Sequence, residues 1–133
     1  MSEHAMEALT GPDTLAEMQQ TLDQAWSEDD IPEYTKMCID LAVSEIGTNI
    51  VAHSADGKPV RVRMAVDVQP DSVTVTFTDD GHRAPVDLTR ISMPGEAAES
   101  GRGLALAHRV LDKLSYWRDQ DGNHWTLFLR RAE

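Results

Sequence analysis

The chain has 133 residues, enough for one domain with a real core, and its hydrophobic (41%) and charged (26%) fractions are those of an ordinary globular protein. Its 12 basic and 23 acidic residues give a formal net charge of -11, which argues against nucleic acid or an anionic membrane as a partner, since both reward a basic surface. No apolar run approaches the roughly 18 residues of a membrane span, and the first residues lack the basic and apolar regions of a signal peptide, so the expected location is cytoplasmic.

In chain order, residues 11–30 predict a first helix. Pro12 and Asp13 stand at its start, and Leu15, Met18, Leu22, Ala25 and Trp26 form one stripe. Residues 31–54 predict a second helix opened by Pro32, with a core stripe of Ile39, Val43, Ile46 and Ile50 at spacings of four, three and four. Cys38, the only cysteine, falls in this helix and reads as a small buried hydrophobe rather than a reactive thiol. Two alternating runs follow, Val60-Val62-Met64-Val66-Val68 and Val73-Val75-Phe77, separated by turn chemistry at Gln69–Ser72. They predict an antiparallel hairpin. Residues 80–100, with Gly81, Pro85, Pro94 and Gly95, read as a long loop, and loops of that length in compact domains are usually functional lids or disordered. A third helix is expected at about 102–113. Two last strands are expected around Asp121-Gly122-Asn123, with Trp125, Leu127 and Leu129 on one face. The order predicts an α+β two-layer sandwich, with helices on one face of a mostly antiparallel sheet, in a single domain over 1–133 with its core at about 10–131.

Three short patterns carry polar groups that a core does not need. On the second helix, Glu45 and Asn49 sit one turn apart, roughly 80–120° from the apolar stripe, where a carboxylate and an amide can meet a ligand. Alone, such a pair is more commonly just solvated. Asp79 ends the second hairpin strand, and Gly81 allows a sharp turn behind it. An acid there can accept a hydrogen bond from an amino group, although alone it reads as a plain turn. Gly101-Arg102-Gly103 opens the third helix, whose free N–H groups and dipole favour a phosphate. This is not a P-loop, because no Gly-Lys-Ser/Thr follows. It is not a dinucleotide fingerprint either, because Leu106 stands where that pattern needs a small residue.

The three patterns occur in one order in one small α+β chain, and together the sequence resembles the ATP-binding domain of the GHKL superfamily (gyrase, heat-shock chaperone, histidine kinase, MutL). "SEIGTNIVAHS" resembles the N box, "TDDGHRAP" the first glycine box and "ESGRGLAL" the second. Within the superfamily the chain is most similar to the stand-alone anti-sigma-factor serine kinases of the RsbW/SpoIIAB type, through "LAVSEIGTNIVAHS" and through consisting of this domain alone.

The resemblance implies ATP and Mg²⁺ as ligands. It makes Glu45 the general base and Asn49 the Mg²⁺ ligand. Asp79 becomes the acceptor for the adenine amino group, with Gly81 the glycine that lets the base approach. Gly101, Arg102, Gly103 and the adjoining Leu104 become the phosphate-binding turn, residues 86–100 the lid over the nucleotide, and Thr126 an adenine-side strand residue. His53 matches a histidine common after the N box. Arg83 stands where the family often has a second glycine, and Arg90 and Arg102 are the basic residues available near the lid. The implied function is an ATP-dependent anti-sigma factor that binds a sigma factor and phosphorylates a serine on a STAS-type anti-anti-sigma protein, with a homodimer as a further option. The alternative is a nucleotide-gated binding module without kinase activity. A detached histidine-kinase catalytic domain is disfavoured, since no His-bearing dimerisation helix precedes the ATP-binding part.

Overall fold

The structure, a computed structural model, describes residues 1–53, 58–81 and 99–131. Five strands and three helices follow in the order β1 (Ser2–Leu9), α1 (Thr14–Glu28), α2 (Glu33–His53), β2 (Arg61–Val68), β3 (Ser72–Asp79), α3 (Glu99–Val110), β4 (Lys113–Asp119) and β5 (Gly122–Arg130). The strands form one sheet in the order β1-β2-β3-β5-β4, antiparallel at every step. All three helices cover one face of it, giving the expected α+β two-layer fold.

Alternation dictates which side chains face the helices. Val62, Met64, Val66 and Val68 of β2, Val73, Val75 and Phe77 of β3, and Trp125, Leu127 and Leu129 of β5 are buried against Met18, Leu22 and Ala25 of α1, the Ile39-Val43-Ile46-Ile50 stripe of α2, and Leu104 and Ala107 of α3. Cys38 is buried in the same core. The other face carries Arg63, Thr74, Thr76, Thr78, His124 and Thr126.

The sequence reading differs from this fold in four places. Residues 2–9 were assigned no element, yet they form edge strand β1, paired with β2 from Ser2↔Val68 to Leu9↔Arg61. Glu3, Ala5, Glu7 and Ala8 have little strand propensity of their own, so pairing with β2 makes this strand. Leu15, placed on the α1 stripe, is 41% exposed, and Thr14 and Thr21 are buried on that helix instead. Helix α3 spans 99–110 rather than 102–113. Its Gly-x-Gly therefore lies inside the helix, where low glycine propensity hides it from a sequence reading. The last turn is Gln120-Asp121, closed by the pair Asp119↔Gly122, so Gly122 already belongs to β5.

Two glycines set close approaches. Gly122 has φ +128°, and a Cβ there would lie 2.1 Å from the Asp79 carbonyl oxygen. Gly47 on α2 lets α1 pack close, since its Cβ would lie 2.8 Å from Met18 Sδ.

Candidate functional site

Asp79 is the last residue of β3 and faces the helix layer, in register with Asn123 of β5. It is 2% exposed. Its Oδ1 accepts two hydrogen bonds, from the Gly81 N–H at 2.9 Å and from Asn123 Nδ2 at 2.9 Å. Oδ2 receives no hydrogen bond among the described residues. Burial pushes the carboxyl above its usual 3.8, with Asp80 adding to that. Asn123, the Gly81 N–H and Arg118 pull the other way. Asp79 and Gly81 thus lie together, with the glycine's N–H donating to the acid.

The residue that the sequence reading missed is Asn123. It is 1% exposed and accepts, through Oδ1, from the Tyr116 hydroxyl and from Arg118 Nη1 at 3.0 Å. Arg118 Nη1 also donates to the Gly81 carbonyl at 2.9 Å. The sequence signal was the Asp-Gly-Asn run, which was read only as a turn. Thr126, assigned to the adenine side, pairs with Thr76 and lies on the opposite face of the sheet from Asp79. An odd offset from Asn123 puts it there, because successive strand residues alternate faces. The structure does not bring it to the site.

Glu45 and Asn49 lie one turn apart on α2, off the core stripe. Glu45 is half-buried and Asn49 is 7% exposed, with no side-chain hydrogen bond among the described residues. Helix α2 packs on both α3 and β5, the strand whose Asn123 bonds Asp79. No hydrogen bond links Asn49 or Glu45 to Asp79 among the described residues. Gly101, Arg102 and Gly103 fall in the first turns of α3; the N–H of Gly101 is the last without an intrahelical partner, while those of Arg102 and Gly103 donate within the helix, so the structure does not offer the whole expected turn as free donors. Leu104 is a core residue, 2% exposed, with its N–H inside the helix, so the structure does not offer it to a ligand as expected. His53 ends α2. Arg83, Arg90 and the expected lid up to residue 98 lie outside the described residues.

Among the described residues no group of three or more His, Cys, Asp or Glu side chains is placed to hold a metal. A buried, uncommitted amide such as Asn49 fits an ion that takes few protein ligands and completes its octahedron with phosphates and water, as Mg²⁺ does.

The buried acid, the helix that carries Glu45 and Asn49, and the glycine-bearing start of α3 all belong to one antiparallel α+β sandwich. The chain belongs to the histidine kinase-like ATPase domain family, which it matches over residues 10–129. Membership implies ATP as ligand. No curated protein matches the chain by sequence. Among solved structures, the RsbU and RsbW domains of Rv1364c from Mycobacterium tuberculosis superpose with a TM-score of 0.72 at 16% identity, covering 100% of this chain and 33% of that one. The histidine kinase domain of a blue-light activated histidine kinase from Erythrobacter litoralis superposes with a TM-score of 0.59 at 19% identity, covering 87% of this chain and 64% of that one. The chain thus spans about a third of the first and just under two thirds of the second, and the likeness is one of fold. No helix among the described residues is long and apolar enough to cross a membrane.

Proposed function

We propose that the protein is an ATP-dependent regulator of the anti-sigma type, which holds a sigma factor and transfers the γ-phosphoryl group of ATP to a serine on a small STAS-type antagonist. The observation that carries the nucleotide part is Asp79. One of its oxygens is fixed by Gly81 and Asn123, while the other keeps its acceptor capacity in a buried setting that favours hydrogen bonding. A base with an exocyclic amino group satisfies it. The RsbW domain in a protein of the same fold supports the regulatory part.

In this reading the free N–H groups at the start of α3, up to Gly101, would hold phosphate oxygens, and Asn49 would hold Mg²⁺. The metal supplies charge neutralisation on the phosphates. Glu45 accepts the serine proton as the serine oxygen bonds to the γ-phosphorus and the bond to the ADP oxygen breaks. Phosphoryl transfer relies on positioning and charge stabilisation, which suits a site with few side chains. Location in the cytoplasm follows from this role.

The test is transfer of labelled γ-phosphate from ATP to a candidate STAS-type protein. An acid-stable phosphoserine is expected, with the sigma factor released as antagonist binds. Glu45→Gln should slow transfer by about 10²–10⁴-fold while ATP affinity changes little. Full transfer by this variant would show that Glu45 is not the base. A short lid with no basic residue apart from Arg90 and Arg102 favours the second reading, a nucleotide-gated binder. That reading predicts partner capture with no phosphate transfer by the wild type.

A further inference from the structure

We propose that Asn123, locked in one amide orientation by Tyr116 and Arg118 of edge strand β4, is the positioning residue that aims Asp79 at the base and sets the preference for a 6-amino purine. The inference rests on the reading of Asp79 as the base acceptor. It goes beyond it by assigning the groups that make Asp79 selective.

Asn123 is fully enclosed, so its amide must find both donor and acceptor partners inside the protein. An amide can be turned either way, and its neighbours decide which way. Arg118 has donors only, so the amide face it touches at 3.0 Å must be the oxygen. The Tyr116 hydroxyl donates to the same oxygen. The NH₂ group is thereby forced toward Asp79, which it meets at 2.9 Å, and it also reaches the Gly81 carbonyl at 3.4 Å. The flipped amide would set oxygen against carboxylate and NH₂ against guanidinium.

Asp79 is fixed in turn. Two donors converge on Oδ1, so the carboxylate cannot rotate without losing both, and Oδ2 is the oxygen left to face a ligand. Arg118 adds a second hold by binding the Gly81 carbonyl at 2.9 Å, which pins the chain just after β3. One guanidinium on an edge strand therefore fixes both the acid's amide partner and the turn behind the acid. An acceptor held in one place pairs with the amino group of a 6-amino purine and opposes the oxygen of a 6-keto purine, which is how an immobile polar group generates discrimination.

Removing Asn123 also removes a donor that stabilises the ionised acid. Among the described residues, the other charged groups acting on Asp79 are Asp80 beside it and Arg118 from β4, while β2 presents only Val62 opposite it. The acid limb of ATP binding should then move to higher pH.

The experiment is calorimetric titration of ATP and of inosine triphosphate into the wild type and the variants Asp79→Asn, Asn123→Ala and Arg118→Met, from pH 5 to 8. Asn123→Ala should lose about tenfold in ATP affinity and narrow the ATP-to-inosine-triphosphate ratio by a similar factor, with its acid limb shifted upward. Arg118→Met, on an edge strand and away from the core, should move all three in the same direction by less, and it carries the test if Asn123→Ala does not fold. If both variants keep the ratio and the pH midpoint of the wild type while Asp79→Asn loses ATP, the positioning role is overturned and the nucleotide reading stands. If Asp79→Asn binds ATP like the wild type, both fall together.

Discussion

At the scale of single residues, Asp79 is a carboxylate in a place that disfavours its charge. Burial raises its pKa above 3.8 despite three groups that favour ionisation. A carboxyl whose folded pKa is raised contributes stability that is fully present below the unfolded value and lost as pH rises through the folded value. The ionised acid thus costs stability at neutral pH. Asp79→Asn should make the ligand-free protein more resistant to denaturant at pH 7, with the gain shrinking as pH is lowered toward 4. The same change should weaken ATP binding by about 1–3 kcal/mol, since a charge-assisted acceptor becomes a mismatched amide. A variant that is more stable yet binds worse has lost a functional group rather than a structural one. Gly122 shows the opposite case. With φ +128° and the Asp79 carbonyl only 2.1 Å from any added Cβ, Gly122→Ala should cost about 3 kcal/mol in urea unfolding. Asp79 and Gly81 were legible from their spacing after a hairpin. Asn123 was not, because its importance lies in a register with β3 and in donors from β4, which no local pattern shows. Thr126 misled because residue type was weighed without the strand's alternation.

At the scale of elements, α2 does two jobs on two faces. Its stripe of Ile39, Val43, Ile46 and Ile50 anchors it in the core, and this fixes the direction of the neighbouring face that carries Glu45 and Asn49. The stripe was legible because helical spacing survives any tertiary context. Ile46→Ala should destabilise the fold by about 2–5 kcal/mol, read from the thermal or denaturant midpoint. Strand β1 was illegible for a converse reason: its alternation is short and its residues are weak strand formers, so only the partner strand reveals it. Helix α3 starts three residues before the point that low glycine propensity predicts, because its glycines belong to the first turns and not to the entry. That difference matters chemically. It leaves Gly101 as the last free N–H donor of the helix and ties the N–H groups of Arg102 and Gly103 into the intrahelical ladder.

At the scale of the whole molecule, the proposed reading has an acidic chain of net charge -11 bind a polyanion through backbone donors, an amide and a metal rather than through a basic patch. Asn49→Ala should therefore abolish the Mg²⁺ dependence of nucleotide affinity, measured by titrating ATP with and without the metal. If Mg²⁺ still tightens binding equally in that variant, the N-box assignment is wrong. The most direct test of the central claim is a calorimetric titration of the wild-type protein with ATP in the presence of Mg²⁺. One ATP should bind per chain, and chelating the metal should weaken binding. The absence of saturable binding, or affinity indifferent to the metal, would contradict the account.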